Sequence, residues 1–392
     1  MPHLPQAPHK AGSGYTVGFV LDDSLDSADG VQQYVLTVGE WLRARGHDVH
    51  YLVSSSTRTD VANVHSLGKN MAVRFNGNRM RMPLPAPYDP IHELLRKEHF
   101  DVLHVQVPYS PLLAGRVISL ASAETAVVGT FHILPDSRLV AFANRMLALW
   151  CRRTLRRFDA MLSVSAAAQQ FVRTTYGIKS DVVPNAVDIK KFVGAEPFAQ
   201  GAGVRQILFL GRLVPRKGCQ VLVDAAAILK QDAAVPPFHL TICGKGPLTE
   251  QLERSVHTQG LEQHVTFTGF VTEQDKRRWY ATADVTVFPS SGGESFGIVL
   301  VEAMANGNAA VLAGDNAGYR CVLEPCPGDV LFDPNDACAL AARLKTLLLS
   351  EPERLHIAEW QKHYAEQFDV ARIGMRLEAT YASALRRQRT LR

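Results

Sequence analysis

Residues 206–218 read QILFLGRLVPRKG, and residues 285–304 read VTVFPSSGGESFGIVLVEAM. Each opens on a short apolar run of strand type, turns through a loop of Gly, Pro or Ser with charged residues, and enters an apolar helix. A strand delivered into a helix by a short loop is half of a βαβ unit. Repeated, it implies a parallel sheet covered on both faces. Working outward, strand-like runs recur at Thr16–Leu21, Val49–Val53, Val102–Val107, Ala126–Phe131 and Met161–Val164. They restart at Gln206–Leu210, His239–Cys243, Val265–Thr268, Val285–Phe288 and Ala309–Ala313, with helical stretches such as Val31–Arg45 and Ser137–Arg157 in the series. Two such series predict an α/β chain of two Rossmann-like doubly wound domains facing an interdomain cleft. Ligands then belong at the carboxyl ends of the strands.

A chain of 392 residues suits two domains of roughly 150–200 residues each. Pro184, Asn185, Gly194, Pro197, Gly201 and Gly203 mark the boundary between Pro184 and Arg205. The expected division is a disordered tail over 1–14, a first domain over 15–195 and a second over 205–370. Residues 371–392 are expected as a helix returning to the first domain. With 46% hydrophobic and 20% charged residues the composition is globular, and a net charge of +4 is too small for a dedicated nucleic-acid binder. The six cysteines lack C-x-x-C or zinc spacing and read as reduced thiols of a cytoplasmic protein. The N-terminus has no apolar core of a signal peptide, and no run reaches the roughly 18–20 apolar residues of a membrane span.

The two opening loops carry the chemistry. Arg212 and Lys217 lie five residues apart on a strand-to-helix loop, where a planar fork and a mobile point charge suit a diphosphate. Gly211 allows close backbone approach, and a helix N-terminus adds partial positive charge. A solvated basic loop is the alternative for this motif alone. In the second loop, Gly292 and Gly293 precede Glu294, and the amides of Ser295, Phe296 and Gly297 stand at the start of a helix with Ile298. Glu302 follows Glu294 by eight residues, about 12 Å along a helix, comparable to the span from a sugar to a ribose across two phosphates. A carboxylate at Glu302 in so apolar a helix would be costly without a partner.

With these pieces, residues 206–323 resemble the donor domain of the family 4 glycosyltransferases of GT-B architecture. Leu210-Gly211-Arg212 with Lys217-Gly218, Cys243-Gly244-Lys245-Gly246-Pro247, Phe267-Thr268-Gly269-Phe270 and Glu294 to Glu302 carry the likeness. Among members, the bacterial phosphatidylinositol mannosyltransferases are most similar, over roughly residues 15–385. The resemblance implies a retaining hexosyltransferase with an N-terminal acceptor domain and a C-terminal nucleotide-sugar domain. It implies Arg212 and Lys217 on the diphosphate, Glu294 on sugar hydroxyls, Glu302 on the ribose, and Phe270 and Val271 beside the base. Gly30, Gly211, Gly244 and residues 295–298 complete the donor shell. GDP-mannose is the favoured donor, with UDP-sugars the alternative, and the acceptor is a hydroxyl of a lipid or glycan or, in the alternative, a soluble molecule.

In the N-terminal half, Asp29 replaces the first of two glycines of the mannosyltransferases, leaving Gly30 to approach the diphosphate. Asp29 is read either as an acceptor-side residue or as a helix N-cap. Gln32 resembles an acceptor contact, and Asp23 stands where some relatives place an aromatic one. His132 ends a strand, either as a structural histidine or, as the resemblance implies, as the active-site group bonded to the transferred sugar. With no Asp-x-Asp triplet, cationic side chains stand in for a metal, so no metal and no cofactor are expected. The leaving phosphate would accept the acceptor's proton in a same-face reaction. The apolar, arginine-rich stretch Asn144–Arg157 can lie on an anionic bilayer at the inner face of the cell membrane, or pack on the core with its arginines in water. Against membrane contact, Ile91–His99 is less basic than in the lipid-using mannosyltransferases. A GT-B-shaped epimerase or phosphorylase and a non-catalytic nucleotide-sugar binder are the rival classes. A dehydrogenase would need a G-x-G-x-x-G turn that Asp22–Gln33 lacks.

Overall fold

In the first half of the chain the apolar runs pair side by side. The elements are β1 (Thr16–Leu21), α1 (Gly30–Ala44), β2 (Asp48–Val53), β3 (Val64–Ser66), β4 (Asn70–Phe75), β5 (Asn78–Pro83), α2 (Tyr88–Glu98), β6 (Val102–Val105) and α3 (Leu113–Leu120). They continue as β7 (Ala126–Phe131), α4 (Arg138–Trp150), α5 (Arg152–Leu155), β8 (Ala160–Ser163), α6 (Ala166–Tyr176) and β9 (Asp181–Val182). The second half supplies β10 (Arg205–Leu210), α7 (Cys219–Lys230), β11 (Phe238–Cys243), α8 (Thr249–Thr258), β12 (Val265–Gly269), α9 (Glu273–Thr282), β13 (Val285–Phe288), α10 (Ile298–Asn306), β14 (Ala310–Gly314), α11 (Ala317–Leu323) and β15 (Leu331–Phe332). Three helices close the chain: α12 (Ala337–Leu349), α13 (Glu351–Ala365) and α14 (Val370–Thr390). The computed structural model describes residues 14–26, 29–75, 78–135 and 138–390, so the expected N-terminal tail lies outside it up to residue 13.

Two parallel sheets result, in the orders β3-β2-β1-β6-β7-β8-β9 and β12-β11-β10-β13-β14-β15. The two doubly wound Rossmann-like units are those expected from the sequence. Strand order reverses beside β1 in one sheet and beside β10 in the other. The crevices at those reversals open past the carboxyl ends of β1 and β6, and of β10 and β13. The central strands are apolar on both faces: Val17, Phe19, Val20, Val102 and Val105, and Val285 and Val287, are sealed from solvent. The strands that periodicity did not reveal are the two- and three-residue edges β3, β9 and β15 and the antiparallel hairpin β4–β5. The edges are too short to show a period, and the hairpin lies outside both sheets. The expected helix 137–157 is two helices, broken at the buried Cys151.

The chain passes between the units twice, and the passages bond to each other. Val187 donates to the Phe368 carbonyl at 3.0 Å, and Val370 donates back to Val187 at 2.9 Å. After the second crossing, α14 lies against α1 and β7 of the first unit. Its Tyr381 is buried and its hydroxyl lies 2.7 Å from His104 Nδ1, while His104 Nε2 lies 2.7 Å from Thr130 Oγ1. Burial, reinforced by the neighbouring His132, pushes the His104 imidazole down to about 3, so it is neutral and uses both ring nitrogens in hydrogen bonds. Tyr381→Phe strands one of them in the core. The expected loss is about 1–3 kcal/mol in urea unfolding, and an unchanged midpoint at unchanged slope would show that the bond contributes nothing.

Candidate functional site at the interdomain cleft

The loop after β10 and the loop after β13 are fastened together. Ser291 N and Ser290 Oγ both donate to the Arg216 carbonyl, each at 2.9 Å. Gly218 makes this contact possible: its φ is +69°, and a Cβ there would stand 1.9 Å from the Pro289 carbonyl oxygen. The helical start of α10 has a similar demand, because Gly297 has φ +101° and lies against the Tyr319 ring.

Glu294 sits where the fastened loops meet. Its Oε1 accepts from Lys217 Nζ at 2.8 Å, from Ser290 Oγ at 3.0 Å and from the Arg216 guanidinium. Burial works to raise the carboxyl, but Lys217 and Arg216 outweigh it and hold it below the usual glutamate range. Glu294 is therefore an anion whose partners are the cations that face the cleft. Arg212 stays open, more than half exposed, with Nη1 4.0 Å from Asp29 Oδ1 across the cleft.

Asp29 precedes α1 in extended conformation, yet its side chain makes no capping hydrogen bond. The carboxylate is turned to the cleft instead. One residue on, a Cβ at Gly30 would lie 3.4 Å from Ile298 Cδ1, so the two helix starts face each other closely.

His132 closes the opposite wall. Its Nε2 lies 2.8 Å from Gln106 Oε1, and the Gln106 amide nitrogen donates to the His104 carbonyl at 3.2 Å. Because that second bond orients the amide with its oxygen toward His132, Nε2 must carry the proton. Burial lowers the imidazole well below the ordinary histidine range, so the ring is neutral. Nδ1 is then a bare acceptor. Tyr34 packs edge-on against the ring at 5.3 Å.

Together these residues surround a cavity of about 560 Å³. Of the residues expected from the sequence, Asp29, Gly30, His132, Gly211, Arg212, Lys217, Gly244, Phe270, Val271, Glu294, Ser295, Gly297 and Ile298 line it. Three do not. Gln32 is buried and donates to the Ser24 carbonyl at 3.1 Å and to Asp23 Oδ2 at 3.5 Å, while its neighbour Gln33 faces the cleft. The assignment of Gln32 to the acceptor side is corrected accordingly: one residue is 100° of helix, and the phase puts Gln33 outward. Phe296 is buried edge-on against Phe368 at 5.3 Å and supports the loop from behind. Glu302 lies one layer back, 2.9 Å from Lys276 Nζ and 3.3 Å from the Tyr280 hydroxyl.

Burial pushes the Glu302 carboxyl up against the pull of Lys276. Lys276 is held above its ordinary value by Glu302 and Glu273, which overcome its own burial. The result is a buried ion pair with Lys276 on the cleft side. Sequence reasoning missed Arg216, Lys245, Glu273, Lys276 and Asn185 as cleft residues. Asn185 Oδ1 is buried with no hydrogen-bond partner among the described residues. A signal existed for Arg216, the third cation of the loop. For Lys276 only the i,i+3 partner Glu273, at 2.8 Å, was readable, because its buried partner Glu302 is 26 positions away.

Two family models divide the chain between them. One described as glycosyl transferases group 1 matches residues 196–363, and one described as glycosyltransferase family 4 matches residues 28–191. A phosphatidyl-myo-inositol mannosyltransferase of Mycolicibacterium smegmatis is 34% identical over 360 residues, covering 88% of this chain and 90% of its own.

The chain belongs to the family 4 glycosyltransferases.

A GDP-mannose-dependent alpha-mannosyltransferase of the same organism is 29% identical over 367 residues, 87% of this chain and 91% of that one. Among solved structures, Anabaena HepE in complex with UDP and glucose superposes with a TM-score of 0.71 at 18% identity, covering 94% of this chain and 100% of that one. Sucrose-phosphate synthase of Thermosynechococcus elongatus gives 0.72 at 20%, covering 94% and 98%. At such identities the likeness is one of fold, and it is the GT-B fold. In this glycosyltransferase Asp29 competes with any anion for Arg212. Asp29→Ala is expected to tighten nucleoside diphosphate binding by roughly two- to fivefold, the range of an exposed ion pair. Titration calorimetry checks this, and equal or weaker binding would place Asp29 outside the site.

Proposed function

We propose that the protein transfers a hexose, mannose from GDP-mannose, to a hydroxyl of a lipid acceptor, with retention of configuration and without a metal ion. The observation that carries the donor reading is the meeting of Arg212, Arg216, Lys217 and Glu294 on two fastened loops opposite His132. The names of the mannosyltransferase relatives, spanning most of both chains, support mannose, its GDP carrier and a lipid acceptor.

In this reading the diphosphate enters beside Arg212, and Lys217 and Arg216 turn from Glu294 to the phosphate oxygens. Their charge stabilises the leaving diphosphate where a metal ion would otherwise serve. Glu294, relieved of its cations, accepts hydrogen bonds from the sugar hydroxyls. A ribose reaches Glu302 only through the layer that Lys276 occupies, so Glu302 accepts from it once Lys276 gives way, and Phe270 and Val271 border the base. His132 Nδ1, lacking a proton, accepts from a hydroxyl of the sugar and holds it against the N-terminal wall. As the sugar–phosphate bond breaks, the leaving oxygen takes the acceptor's proton on the face it departs from, and the new glycosidic bond forms there. His132 and Glu294 thus hold the sugar without forming a bond to it. Asp23 and Gln32 bond to each other, leaving Gln33 of α1 and Asp29 just before it as the polar groups that meet an acceptor.

Thermal shift and hydrolysis across GDP-mannose, UDP-glucose and UDP-N-acetylglucosamine are expected to single out GDP-mannose. Glu294→Ala should then lower transfer by at least about a hundredfold. A response confined to a UDP-sugar would replace the donor, and no response to any, or unchanged turnover of the variant, would overturn the reading. Transfer should also persist in excess EDTA, and activity restored only by Mg²⁺ or Mn²⁺ would show that the cations do not suffice.

A further inference from the structure

Among the described side chains of helix α4, four large apolar ones point outward. Phe142, Met146, Leu149 and Trp150 are 61%, 55%, 67% and 76% exposed. Their spacing puts them on one stripe of the helix. The inward face is settled by contacts: Asn144 is buried and accepts from the Tyr176 hydroxyl at 2.7 Å, and the buried Cys151 thiol lies 3.1 Å from the Tyr109 carbonyl. A surface helix ordinarily does the reverse, burying its apolar face and wetting its polar one.

The surroundings of the stripe are cationic. Arg145, Arg152, Arg153 and Arg156 are exposed beside it, and residues 138–158 include neither Asp nor Glu. Apolar groups ending in a Trp and rimmed by guanidinium groups match the boundary between acyl chains and anionic headgroups, where rings and aliphatic stems enter and charges stay at the phosphates. A second copy of the chain fits poorly, because a symmetric contact through this face would set arginines against arginines. The helix begins six positions after His132, in the same unit that carries the His132 wall of the cleft.

We propose that the α4–α5 face, centred on Leu149 and Trp150, docks the protein on an anionic lipid bilayer through the unit that carries His132. The docking stands on the surface alone; the purpose it serves, delivery of a lipid acceptor, rests on the function proposed above.

Flotation of the full chain with vesicles of phosphatidylglycerol and phosphatidylcholine, against phosphatidylcholine alone, tests it without any donor. Binding is expected only to the anionic vesicles and to be released by roughly 0.5 M salt. Leu149→Ser/Trp150→Ser and, separately, Arg152→Glu/Arg153→Glu should each weaken it by at least about tenfold. Both variants should keep the wild-type thermal shift with GDP, which separates lost docking from lost folding. Wild-type protein that stays with the soluble fraction at low salt overturns the proposal. So do variants that float like wild type, or a wild-type dimer that the serine variant converts to monomer. If no nucleotide sugar is used yet flotation behaves as expected, the transfer reading fails and the docking surface stands.

Discussion

Two loops rich in cationic and polar groups can meet only if something neutralises them, and here that is the carboxylate of Glu294. It accepts from Lys217, Arg216 and Ser290 at once. Its charge is maintained by those cations against its own burial. The same contact sets the spacing of the β10 and β13 loops and keeps cations poised where an incoming diphosphate would draw them away. A site arranged around an internal ion pair has its anion-binding groups positioned in advance, so little ordering remains when a ligand binds. The partly exposed pair Arg212–Asp29 repeats the arrangement across the cleft in a weaker form.

The second unit is tied to the first by more than its linker. Val187 and the stretch 368–370 form a paired crossing, and α14 then packs across α1 and β7. The buried bond from Tyr381 to His104 makes the last helix part of the first unit's core. Through the His104 carbonyl and Gln106 the support reaches His132, whose tautomer follows from the orientation of the Gln106 amide. The chain's terminal helix is thereby continuous with the wall that faces the donor loops. The units also meet across the cleft, where the Gln33 amide donates to Glu273 at 3.3 Å and Arg212 stands 4.0 Å from Asp29.

Much of the fold was legible because buried parallel strands are short apolar runs whatever their neighbours. Strands β1, β7 and β13 start and stop at the residues their composition suggests. The loops were legible for a related reason: a turn that presses backbone on backbone, as Gly218 does on Pro289, admits few residue types. Side-chain direction was less legible. Gln32 and Gln33 are equally polar, and only the phase of α1 decides that one enters the core and the other the cleft. The stretch around Trp150 was amphipathic in sequence, but amphipathicity does not say whether the apolar face meets protein or solvent. Asn144 meeting Tyr176 decides it.

Taken by itself, the sequence determined the α/β class, the doubly wound sheets, the cationic loop after β10, the glycine-rich loop before α10 and the placement of His132 at a strand's end. All of these are local matters of periodicity, turn chemistry and spacing. Only the tertiary structure decided the pairings: Glu294 with Lys217 and Arg216, Glu302 with Lys276, Asp29 toward Arg212, and Tyr381 with His104. Apart from the local reach of a helix or loop, charge and hydrogen-bonding capacity leave no periodic trace along a chain. Which groups meet depends on how sheets twist and helices dock, and that is settled by packing over distances no motif records.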